Sequence, residues 1–281
     1  MRRVSFLVSI AMILICSGNS YSQGEEEFCP PLGVRILSYG NFQEKAWEHL
    51  HSIGIKYIFI PIPPPEEVNS ILNKLQQYDL KVLVVRGDVD LTKDTYLQQF
   101  EEQFETCKKL GAKYMFISAK RGETPKEIIF ERLKKAGTLA EKYDITIVLE
   151  THPDLGTNGD IQVETMRAIN HPRVRVNFDT GNITYYNQNT DAVTELKKSI
   201  PYVATVEFKD HTGEFETWNF PPLGKGKVNF PEILKILKEH HYKGPITIEF
   251  EGIKGVELSE IEIKQAIETS VNYLRSLNCF K

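Results

Sequence analysis

Beyond residue 30, short β-branched and apolar runs alternate with longer stretches whose apolar positions recur at helical spacing. The short runs read as strands: one near Gly33–Ser38, then KYIFIPI (56–62), LKVLVV (80–85), KYMFIS (113–118), ITIVLE (145–150), RVRVNF (173–178), YVATVEF (202–208) and ITIEF (246–250). Helices are predicted near 42–53, 68–78, 95–110, 161–169, 191–199, 231–241 and 259–277, with one more opening at Thr124 as N-cap and Pro125 as its first residue. Eight strands alternating with eight helices predict right-handed βαβ units and a parallel sheet. Eight units favour closure into a (β/α)8 TIM barrel, an α/β single domain over 32–281, after a lead-in at 23–31. No GxGxxG follows the first strand, which argues against a dinucleotide-binding sheet. The longest stretch without an element of its own, 210–228, falls on the face where barrel sites form, and is expected to be a lid or substrate wall.

The last four strands each close on or beside a carboxylate: Glu150, Asp179, Glu207 and Glu249. The C-terminal ends of barrel strands converge on one face. Four acids gathered there either hold a divalent cation or repel one another, unless Lys or Arg (Lys209 and Arg86 are at hand) pairs with some of them. Oxygen donors suit a hard cation such as Mn²⁺, Mg²⁺ or Ca²⁺; Mn²⁺ is the first expectation, with Mg²⁺ or Zn²⁺ possible.

Composition narrows the setting. The 281 residues are 41% hydrophobic and 26% charged, ordinary for a globular chain. Arg2 and Arg3 precede an apolar run from Val4 to Ile15, and Ser20 and Ser22 fit a signal-peptidase site. Residues 1–22 therefore read as a secretory signal, placing the mature protein outside the cytosol or in a periplasm. The apolar run is shorter than the ~20 residues of a membrane span. Cys16 offers a lipoprotein alternative, which bulky Ile15 suits poorly. Losing two arginines takes the net charge from −4 to −6, and with no basic run this disfavours nucleic acid as a partner. Cys107 reads as a buried mid-helix thiol. Cys29 and Cys279 flank the domain and are close enough in a closed barrel to pair under oxidising conditions.

The motifs LETHPD (149–154), NFDTGN (177–182), VEFKDHTG (206–213), PLGKGKVNFPEILKILK (222–238) and GPITIEFEG (244–252) resemble the sugar phosphate isomerase/epimerase family, with its xylose isomerase-like barrel. The likeness covers roughly 32–278. In such enzymes a Glu, an Asp, a His and a Glu hold one divalent metal, which implies Glu150, Asp179 and Glu249 here. Two departures stand out: Glu207 occupies the place of the ligand His, and Asn182 stands where many relatives carry a His.

The resemblance implies a sugar isomerase or epimerase. The metal would polarise a carbonyl, one carboxylate would take the neighbouring proton, and a second would return it to the enediolate, with Glu150 and Glu249 as the pair. His152 would hydrogen-bond a hydroxyl or the enediolate, or pack its loop. Lys209 would stabilise developing charge or form a structural ion pair. Arg86, His211 and Trp218 are further substrate candidates, Trp218 through stacking. Gly224 and Gly226 could bring backbone to a phosphate, though a tight turn explains them as well. Export points to a free sugar or glycoside as the small-molecule partner. The same proton abstraction on a keto-glycoside would allow β-elimination, so a lyase is the rival reading, and a non-catalytic sugar-binding barrel a third. An AP endonuclease would need a histidine-rich zinc cluster, and only His152 and His211 fall near the catalytic face. Oligomeric state stays open.

Overall fold

The computed structural model describes residues 28–280. The expected signal segment and most of the lead-in lie outside the described residues. Eight parallel strands close a barrel in chain order: β1 (Leu32–Arg35), β2 (Tyr57–Pro61), β3 (Lys81–Arg86), β4 (Tyr114–Ile117), β5 (Thr146–Glu150), β6 (Val174–Asp179), β7 (Val203–Phe208) and, closing onto β1, β9 (Ile246–Ile248). The short β8 (Asn219–Phe220) and β10 (Gly252–Ile253) pair antiparallel above it. Helices α1 (Gln43–Ser52), α2 (Val68–Gln77), α3 (Tyr96–Leu110), α4 (Lys126–Tyr143), α5 (Gly159–Ile169), α6 (Thr180–Tyr186), α7 (Ala192–Ser199), α8 (Phe230–Glu239) and α9 (Glu260–Ser276) complete the fold. The (β/α)8 expectation is met. The strands are covered on both faces, which is why they read as nearly continuous apolar runs. Inside the barrel, Phe59, Val84, Phe116 and Val148 form a separate apolar plug, while the main core lies between sheet and helices. Among the described residues no helix is long and apolar enough to cross a membrane.

Local chemistry sets the helix starts. Asn158, Asp191 and Asn229 accept backbone N–H bonds at the heads of α5, α7 and α8, and Ser259 with Glu262 forms a capping box on α9. Thr124 does not cap α4: Pro125 is the N-cap residue, extended at ψ 137°, and no side chain caps that end. β1 stops at Arg35 rather than Ser38, and residues 36–42 wind into 3₁₀ turns. α6 was not legible, because TGNITYY has no apolar stripe. Asp179 starts it by accepting from the Gly181 and Asn182 amides.

All three described cysteines are free thiols. Cys107 is buried as expected, and burial pushes its thiol up to about 12. The Cys29–Cys279 bridge is not formed: Cys29 is exposed, and Cys279 Sγ turns to donate to the Leu277 carbonyl at 3.4 Å.

Candidate active site

Strand register decides which acids meet. Asp179 on β6 pairs level with Glu207 on β7, and Glu249 follows β9, its amide bonded to the Phe208 carbonyl at 3.0 Å. One oxygen from each of these three buried carboxylates lies within 4.8 Å of the others. Glu150 is level with Asn177, two residues before Asp179, and so stands apart from this group. It sits, half-buried, on the wall of the adjoining cavity.

Two buried cations are threaded among the acids. Arg35, at the end of β1, reaches Glu207 Oε1 at 3.3 Å and also bridges to Glu249. Its guanidinium lies against the rings of Phe59 and Phe116, 4.9 and 5.3 Å from their centroids. Lys209 Nζ contacts Glu249 Oε2 at 3.2 Å and Asn182 Oδ1 at 3.1 Å, forms an ion pair with Glu251, and lies 4.2 Å from the Phe220 ring centroid. Burial outweighs charge attraction for most of the acids. It pushes the Asp179 carboxyl up to about 8 and Glu207 well above the carboxylate range. Burial likewise raises Glu251. For Glu249 burial also acts upward, but Arg35 and Lys209 together more than offset it and hold the group ionised. Burial would discharge Lys209, yet Glu249, Asp179 and Glu251 hold its ammonium protonated far above the usual range. Lys209 is therefore a fixed cation rather than a proton shuttle.

Neighbouring polar groups fix these positions. Asp179 Oδ1 caps α6 at 2.9 Å from two amides, and the buried Thr151 hydroxyl accepts the Asp179 amide at 3.0 Å. Asn182 donates to the Thr151 carbonyl at 3.0 Å while its oxygen receives Lys209, so the residue that departs from the family pattern positions the lysine.

The long 210–228 loop is a built wall. Buried Asp210 accepts four backbone amides: His211 and Val228 on Oδ1 at 2.9 and 3.1 Å, Gly224 and Gly226 on Oδ2 at 2.9 and 2.8 Å. The Gly224 and Gly226 amides thus close a tight turn and are not available to a phosphate. Gly224 sits at φ 81°, which glycine adopts at least cost. His211 departs from the expected substrate role. It is fully buried, its Nδ1 accepting from Thr184 and its Nε2 donating to the Thr217 carbonyl, both at 2.8 Å. Both ring nitrogens are thus spent, one on Thr184 of α6 and one on the loop. Trp218 packs edge-on to Tyr185 and Phe220 and stays partly exposed above Lys209.

A cavity of about 260 Å³ opens between this wall and the carboxylates, bordered by Glu150, His152, Lys209, Trp218, Glu249 and Glu251. Arg86, Lys120 and Arg35 also border it. The volume lies at the small end for ligand sites, suited to one sugar ring. Larger hollows, such as the one of about 460 Å³ beside α7, lack a comparable convergence of acids and cations. His152 rests edge-on against Tyr186, and its Nδ1 donates to the Pro153 carbonyl at 2.6 Å, which leaves Nε2 as an acceptor. Sequence reasoning missed Arg35, Glu251 and Asp210. Arg35 ends an apolar strand just as the acids do, and EFE (249–251) places two glutamates on one side of an extended segment.

The donor set fits a hard divalent cation. Three carboxylates converge, and Asp179 Oδ2 is buried with no hydrogen-bond partner. The acidic group can thus hold a metal ion.

Comparison with known proteins agrees with this picture. An uncharacterised protein from Methanocaldococcus jannaschii is 28% identical over 143 residues, which span 50% of this chain and only 48% of that protein's length. Inosose dehydratase from Clostridium beijerinckii is 24% identical over 253 residues, covering 76% of this chain and 84% of that protein. The structure of D-allulose 3-epimerase from Methylomonas sp. with D-allulose superposes with a TM-score of 0.69 at 16% identity, over 88% of this chain and 97% of that one, a likeness of fold. The model of the xylose isomerase-like TIM barrel family matches residues 47–277, and the chain belongs to that family.

Proposed function

We propose that this protein moves a proton beside the carbonyl of a sugar, as an isomerase or epimerase acting on a free sugar or glycoside. The observation that carries this reading is the small cavity in which the Glu150 carboxylate, the Lys209 ammonium and the Glu251 carboxyl, raised by burial, border one space. Glu150 takes the proton from the carbon next to the carbonyl. The electron pair moves onto the carbonyl oxygen, and the Lys209 ammonium stabilises the enediolate that forms. Glu251, whose carboxyl burial keeps protonated more readily than usual, suits the return of a proton. Glu249, held ionised by two cations, is a weaker base than its place suggested and serves instead to hold Lys209 and Arg35. His152 offers Nε2 to a hydroxyl, and Trp218 covers one sugar face. A divalent ion, with Mn²⁺ the first expectation, would be held by Asp179, Glu207 and Glu249 and would supply Lewis-acid polarisation of the carbonyl. We further propose export through residues 1–22, which favours unphosphorylated substrates.

The relative inosose dehydratase favours a second outcome of the same step. The enediolate expels a hydroxyl or alkoxide from the next carbon, which leaves as water or alcohol after taking a proton, and an enone remains. Incubating the protein with free ketoses and with a 3-keto-glycoside in D₂O, followed by NMR, tests both outcomes. Deuterium at the carbon beside the carbonyl with the skeleton intact supports isomerisation or epimerisation. Enone with free alcohol supports elimination. A bound sugar with neither change removes the catalytic reading.

A further inference from the structure

Arg35 bridges two of the three acids that converge at the candidate metal seat. β1 and β9 run level, Val34 beside Ile248, which carries Arg35 to the height of Glu249. From there Nη1 bonds Glu249 and both oxygens of Glu207, the latter at 3.3 and 3.4 Å. Glu207 and Glu249 are two of the three carboxylates whose donor atoms fall within 4.8 Å of one another. An ion bound to those same oxygens must share the gap with a full positive charge. The rings of Phe59 and Phe116 shape the seat for the guanidinium, and it is buried. Its Nε finds no acceptor, so the group is held there by charge and ring contact rather than by a complete hydrogen-bond fork. Lys209 neutralises the other side of Glu249. The cluster is thus supplied with counter-ions from its own chain.

We propose that Arg35 is a built-in rival of the divalent ion: its bridges to Glu207 and Glu249 and an ion held by those carboxylates are mutually exclusive, and the barrel is stable without the ion. Metal affinity is then set by how readily Arg35 leaves the seat, and Arg35 limits metal loading. The inference uses the carboxylate seat described above, but its test reads binding and stability rather than turnover. Loss of catalysis and failure of this inference are therefore separately visible.

The test compares wild type with Arg35→Met, a change that leaves an unbranched apolar side chain at the seat and removes the charge that lies over Phe59 and Phe116. Both are stripped with a chelator and titrated with MnCl₂ by calorimetry and by elemental analysis after dialysis. Wild type is expected to keep its melting temperature in EDTA. Arg35→Met is expected to melt lower without ion, to bind Mn²⁺ at least about tenfold more tightly, and to regain stability on binding it. Equal Mn²⁺ affinity in both proteins overturns the inference, as does a wild type that melts lower when stripped. Should Arg35→Met fail to fold, wild-type crystals soaked in MnCl₂ decide. An ion in the seat with Arg35 swung away upholds mutual exclusion, and an ion with both Arg35 bridges intact refutes it.

Discussion

Replacing Asp210 with Ala removes a buried carboxylate that holds four backbone amides and, through them, the wall of the cavity. Hydrogen bonds to charged groups contribute about 1.5–3 kcal/mol each, and a buried donor left alone costs ~1–3 kcal/mol. Four bonds at full value would exceed what single substitutions usually cost, because water enters the loosened turn and the desolvation of the carboxylate itself is relieved. A loss of about 3–5 kcal/mol is the reasonable expectation. For a domain of this size that corresponds to roughly 6–10 °C in melting temperature. Urea unfolding followed by circular dichroism measures the loss, and the Trp218 emission, read in a Trp47→Phe background, reports whether the wall opens before the barrel does. A loss under about 1 kcal/mol would show that the four amides find other acceptors, and that Asp210 does not hold the wall.

Other consequences follow from the same cluster. In EDTA, the raised carboxyls of Asp179, Glu207 and Glu251 bind protons more tightly folded than unfolded, so stability is full near pH 4 and falls as pH rises toward 8. Thermal melts across that window should fall, and a rise would contradict the assignment. The depressed Glu249 acts oppositely, its contribution present above the ordinary carboxylate range and lost as pH falls below it. Lys209→Met should cost about 3–5 kcal/mol by leaving Glu249 and Glu251 without their cation, with kcat down roughly 10²–10³-fold; a stable, active variant would refute its role. Trp218→Ala should raise KM several-fold and leave kcat nearly unchanged, and a purely kcat effect would place the indole elsewhere.

The barrel was readable because burial on both faces of each strand writes itself as eight apolar runs, and because the residues after several strands are strong helix starters. Asp179, Glu207 and Glu249 were readable for a related reason: a carboxylate that ends a buried strand has no reason to be there unless something compensates it. What compensates it was harder to see. Arg35 comes from the far end of the chain, and only barrel closure, β1 against β9, brings it to Glu249. His211 read as a substrate candidate because it lies on the long loop near the catalytic face. Its two ring nitrogens are claimed by Thr184 on α6 and by Thr217 on the loop, whose path no local pattern specifies. Glu150 shares its strand-end position with the other acids, but the β5–β6 register sets it level with Asn177, away from the three that meet.

The most direct measurement of the proposed chemistry is exchange of the sugar C–H beside the carbonyl with D₂O, wild type against Glu150→Gln. The variant keeps the shape of the cavity wall and leaves the Arg35 and Lys209 bridges untouched. Wild type should catalyse exchange, and the folded variant should lose about 10²–10⁴-fold of it. Exchange that persists at the wild-type rate in Glu150→Gln would contradict the assignment of that carboxylate as the base.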